Sequence, residues 1–145
     1  MNAWVYAYRG QEVENRHRIS LAIHGPEGLL AYAGNPGLWT YMRSSAKPFQ
    51  ALALFLTGTV ERCGITEEEV ALATASHDGT PRHVAVASGF LAKLGLGPEA
   101  LVCGVHPPSS REARKALEEA GQSPTPLHHN CSGKHAGMLA AALAL

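Results

Sequence analysis

The segment Met42-Arg43-Ser44-Ser45-Ala46-Lys47-Pro48-Phe49-Gln50, running into Ala51-Leu52-Ala53-Leu54-Phe55-Leu56, constrains this chain most. The apolar run predicts a helix from Ser45 to Leu56 that ends near Gly58. Pro48 falls in its first turn, where the missing N–H costs little. Ser44 and Lys47, three apart, share a face one turn from each other. A serine hydroxyl is a poor nucleophile until a base takes its proton, and a lysine can act once burial or another cation lowers its pKa. The positive end of the helix dipole also favours a developing oxyanion nearby. By itself, the spacing fits equally an N-capping serine beside a solvated lysine.

Two further stretches carry chemistry-bearing side chains. Ser76-His77-Asp78-Gly79 looks like a catalytic triad compressed into consecutive positions, but neighbouring side chains point in different directions and a triad must converge. A turn with an Asx-type bond from Asp78 is the simpler reading. Asn130-Cys131-Ser132-Gly133-Lys134-His135-Ala136-Gly137-Met138 puts a thiol at a helix N-terminus, where the dipole lowers its pKa. Cys131 and Lys134 share a face, and a cysteine nucleophile or a divalent metal site are both compatible with them. His128 and His129, adjacent in an extended segment, face opposite ways, so at most one could join Cys131.

Taken in order, these three motifs resemble the type II L-asparaginase family related to a rhizobial enzyme, similar to a distant branch of the serine β-lactamase and glutaminase superfamily. The resemblance covers nearly the whole chain. It implies hydrolysis of asparagine to aspartate and ammonia, with Ser44 as nucleophile, Lys47 as its base and Ser76 as a second reactive serine. It further implies that Arg43, His77, Asp78 and His135 bind substrate, although Arg43 could equally make a structural salt bridge. Zinc would be held by Cys131 and Lys134, with a third ligand outside this sequence. The paired lysine of Ser76 would also lie outside it.

The rest of the chain supports an α+β fold, an antiparallel sheet followed by helices packed on it. Trp4, Tyr6 and Tyr8 alternate along a first strand, Gln11–Asn15 forms a polar break, and Arg18–His24 alternates again. Gly25-Pro26-Glu27-Gly28 then turns the chain into a returning strand over Leu29–Ala33. Thr66 with Glu69, and Ser109 with Glu112, read as capping boxes. Thr80-Pro81 starts a helix whose inner face carries Val84, Ala87, Phe90, Leu91 and Leu94, with Gly95 ending it. Gly121 stops the helix that follows Ser110, and the charged residues between them form a solvated face.

With 145 residues, 46% hydrophobic and 17% charged, there is room for a single domain with a modest core. Twelve basic and twelve acidic residues cancel, and the absence of a basic stripe argues against nucleic acid. Scattered Cys63, Cys103 and Cys131, without a secretory signal, point to reduced thiols in the cytoplasm. No apolar run is long enough to span a bilayer. The sequence stops in an alanine- and leucine-rich stretch that reads as mid-helix, so the chain is expected to be the N-terminal half of a larger protein, a homodimer when whole. Two rival expectations accompany this one: a glutaminase or penicillin-recognising hydrolase on the same fold, or a half-chain inactive without its complement.

Overall fold

A computed structural model describes residues 3–145. The architecture is α+β, with two small antiparallel sheets and six α-helices among the described residues. The chain forms two compact units, one ending at Tyr41 and the other spanning Met42–Leu145.

The first unit holds two hairpins. Strand β1 (Ala3–Arg9) pairs with β2 (Glu12–Ile19), and β3 (Leu21–Gly25) pairs with β4 (Gly28–Ala33). The expected polar break over Gln11–Asn15 is therefore mostly strand, and the expected strand over Arg18–His24 is divided at Ser20. Polarity misleads here because β2 is exposed along its whole length and needs no apolar face. Its side chains are instead held across the ribbon: Arg9 pairs with Glu14, and the Arg16 guanidinium lies 5.7 Å from the Trp4 ring centroid. The single expected sheet is two separate two-stranded ribbons.

The second unit is helical. A short 3-10 turn over Arg43–Ala46 precedes helix α1 (Lys47–Leu56), so the regular helix starts two residues later than expected. Pro48 explains this, since without an N–H it cannot bond the carbonyl of Ser44; that carbonyl accepts instead from Lys47 N–H in 3-10 geometry. Helix α2 (Thr59–Cys63), which the sequence does not announce, lies between Gly58 and Gly64, both left-handed. Helix α3 (Glu67–Thr74) carries the expected capping box: Thr66 Oγ1 accepts from Glu69 N–H, and Glu69 returns a bond to Thr66 N–H at 2.7 Å. The same buried carboxylate meets Lys93 Nζ at 2.7 Å, which fastens α3 to the end of helix α4 (Pro81–Lys93). Helix α5 (Arg111–Glu119) is capped by Ser110, not Ser109. The Ser110 hydroxyl accepts from Ala113 N–H and donates to Glu112, so the expected Ser109–Glu112 box does not form.

Helix α6 (Ser132–Leu143) packs against α1, α3 and α4 and is the axis of this unit. Leu54, Phe90 and Leu91 are fully enclosed around its Ala136 and Ala140. Each such large side chain contributes roughly 1.5–3 kcal/mol of transfer free energy. The seam with α3 is set by small residues, because a Cβ at Gly133 would stand 2.6 Å from the Leu72 carbonyl oxygen and one at Gly137 3.0 Å from Ala73 Cβ. Gly133→Ala is expected to lower stability by about 1–3 kcal/mol in urea denaturation, because backbone must move. Gly89→Ala, inside α4 with open space around its missing Cβ, is the control and should stabilise by up to ~1 kcal/mol.

Candidate active site

The turn before α1 and the segment after α3 bring the sequence motifs together. Arg43 has φ +49°, the only left-handed non-glycine among the described residues, a conformation that costs roughly 1–3 kcal/mol. This bend is followed directly by Ser44. One turn later Lys47 is 2% exposed, and its Nζ lies 3.0 Å from the carbonyl oxygen of Ala75 and 2.8 Å from Ser76 Oγ. Ser76 Oγ in turn lies 3.4 Å from Ser44 Oγ. The three groups are joined in the order Lys47–Ser76–Ser44, and the hydroxyl bonded to the lysine is that of Ser76. Among the described residues no carboxylate pairs with Lys47. Ser45 is turned away, its hydroxyl bonded to the Met42 carbonyl.

His77, next to Ser76, points inward and is 6% exposed. Its Nδ1 accepts from Gly79 N–H at 3.1 Å, so in the neutral ring the proton sits on Nε2. Nε2 faces Ser132 Oγ at 2.8 Å, and the Ser132 hydroxyl passes its own proton to the Leu127 carbonyl. Burial, then the neighbouring His83 and Lys47, lower the His77 pKa from 6.5 to about 4. Asp78 is exposed, and its carbonyl accepts from Ser110 N–H, which ties the loop to the start of α5. Gly79 has φ +69°, and a Cβ there would meet the His128 carbonyl oxygen at 2.9 Å.

The third motif arrives at the start of α6. Cys131 is its N-cap residue, half-buried, with its N–H donated to His129 Nδ1. His135 Nδ1 lies 2.9 Å from the Cys131 carbonyl, to which it donates. Lys134 is half-buried in the same first turn. Among the described residues, no three His, Cys, Asp or Glu side chains gather into a group able to hold a metal ion. A zinc site takes three or four protein ligands. Cys131 and Lys134 alone do not fit one. Cys63 and Cys103 are free, half-buried thiols, and burial raises the pKa of Cys103.

Four further histidines, His83, His106, His128 and His129, are structural. His83 and His128 cap the turns that follow Thr80-Pro81 and Thr125-Pro126, each ring accepting from the threonine N–H three residues earlier. The signal was present as a repeated Thr-Pro-x-His, at Thr80–His83 and Thr125–His128. The His106 and His129 rings pack against each other at a 45° tilt with centroids 4.4 Å apart, and His106 Nε2 accepts from Asn130 N–H. His128 and His129 take different partners, but His128 ends a 3-10 turn over Pro126–His128, so the expected extended segment does not include it.

A cleft of about 250 Å³ opens beside Ser76, lined also by Glu68, Arg82, His77 and His83, with Arg82 and Glu68 paired at its rim. A larger apolar cleft of about 730 Å³ runs between α4 and α5, but Ser44, Lys47 and Ser76 do not line it.

Comparison with known families puts the chain in the class of asparaginase-like amidohydrolases. The profile of the L-asparaginase II family matches residues 5–145, and the chain belongs to that family. No curated protein matches.

Because the folded state holds His77 neutral, the unfolded chain binds the extra proton once pH falls below 6.5. The corresponding stability is fully present above pH 6.5 and is lost as pH falls towards about 4, a loss of roughly 3 kcal/mol. Urea midpoints measured from pH 7 to pH 4 should show this decline, and His77→Gln should flatten it.

Proposed function

We propose that this chain carries the nucleophile of an L-asparaginase-type reaction, with the contacts Lys47–Ser76–Ser44 as the observation that supports it. Ser44 Oγ attacks the side-chain amide carbonyl of asparagine. Its proton moves to Ser76 Oγ while the Ser76 proton moves to Lys47 Nζ, the base of the scheme. The C–N bond then breaks, ammonia leaves with a proton returned by the same contacts, and an acyl-enzyme remains on Ser44. Water cleaves that ester, releases aspartate and restores the serine. Relative to a lysine acting directly on Ser44, this ordering makes Ser76 the intermediate proton carrier, because Lys47 Nζ has Ser76 Oγ as its hydroxyl partner.

Arg43, exposed beside Ser44, offers a planar fork to the substrate carboxylate. Asp78, exposed at the end of the Ser76 segment, suits the substrate ammonium, and His135, with its proton on Nδ1, keeps Nε2 as an acceptor for a substrate N–H. Family membership supports the amidohydrolase class, and no step in this scheme passes through a metal.

Ammonia release from asparagine, with glutamine and a chromogenic β-lactam assayed alongside, tests the reading. Ser44→Ala should reduce kcat by about 10⁴-fold or more, and Lys47→Met similarly. Ser76→Ala should cost about a thousandfold, within the range for a lost proton-transfer group. Full turnover by Ser44→Ala would sink the nucleophile assignment, and an unaffected Ser76→Ala would remove the relay. Preference for glutamine or the β-lactam would move the substrate class.

A further inference from the structure

Resting on the serine–lysine reading, we propose that His77 is a positioning residue, bolting the Ser76 loop to the start of α6 through its Nε2–H. The ring has no nitrogen left for a substrate. Nδ1 holds Gly79 N–H and Nε2–H holds Ser132 Oγ, whose own proton goes to Leu127. The backbone N–H of His77 adds a bond to the Asn130 carbonyl at 3.2 Å, so side chain and main chain both tie this residue to the segment entering α6. Ser132, at the far end, is completely enclosed. Against the outer side of the ring lies His83, centroid to centroid 5.0 Å.

This attachment matters because of what precedes it. Ala75 and Ser76 supply both acceptors of Lys47, and Ser76 reaches Ser44 at only 3.4 Å, near the limit of a hydrogen bond. A shift of about 1 Å in the loop would break that link, and misplacements of that size cost on the order of a hundredfold in rate. The same bolt makes the position of Ser76 depend on the first turn of α6, which carries Cys131, Lys134 and His135. His77 acts through Ser76 and touches no substrate.

Asparagine and glutamine side chains separate the two bonds. In His77→Asn the carboxamide oxygen can still accept from Gly79 N–H but cannot reach Ser132. In His77→Gln the amide N–H reaches Ser132. We expect His77→Asn to lose about a hundredfold in kcat with KM within about threefold, and His77→Gln to recover at least about tenfold of it. Ser132→Ala should reproduce the His77→Asn loss, and the double variant should cost little more than either change alone. Should His77→Asn fail to fold, Ser132→Ala decides the same question from the other end of the bond.

Long-range proton–nitrogen NMR at pH 7 gives a readout independent of turnover: His77 should carry its proton on Nε2, with Nδ1 bare. An Nδ1–H tautomer, equal losses for the Asn and Gln variants, or additive losses in the double variant would overturn the proposal. If no form releases ammonia while the Nε2–H tautomer is present, the asparaginase reading fails and so does the positioning role that rests on it.

Discussion

The close approach of α6 to α3 at Gly133 and Leu72 is the constraint on which the rest of the helical unit depends. With no Cβ in the way, the α6 backbone comes up against the Leu72 carbonyl, and the first turn of α6 arrives beside the residues that leave α3. Ser132 can then reach His77, and the Asn130 carbonyl can reach the His77 N–H. Any side chain at residue 133 would widen that seam and release the loop that presents Ser76.

The site depends on the same seam from its other side. Lys47 is buried not among carboxylates but against a carbonyl and a hydroxyl, both contributed by the two residues that follow α3. A buried amine without a counter-ion is tolerated when its hydrogen-bonding partners are fixed. The His77 network supplies that rigidity. The arrangement therefore links a nucleophile-bearing turn, a short loop and a helix start through bonds made by three side chains, Lys47, Ser76 and His77. Strain at Arg43 fits the same pattern, because a left-handed non-glycine persists only where its surroundings over-determine it.

Much of the helical unit was legible in the sequence because its signals act over short range. Thr66 with Glu69, Thr80 with Pro81, and the left-handed Gly95 and Gly121 fix helix starts and ends through bonds and dihedral angles within about four residues. The errors have equally local causes. Strand β2 is polar because both faces of an exposed ribbon are wet, and α2 is too short to show a period. Ser110 displaced Ser109 as the cap because one register shift put its hydroxyl against Ala113 N–H.

What the sequence by itself determined was which groups could act: a serine and a lysine one turn apart, a second serine, a thiol at a helix start, and a family whose motifs occur in this order. Only the tertiary structure decided how they connect. Lys47 meets a serine 29 residues away rather than the one three before it, Ser76 meets Ser44 across 32 residues, and His77 finds Ser132 across 55. Such partners depend on how closely two helices pack, and that distance is set by glycines and alanines whose role cannot be read until the facing helix is known.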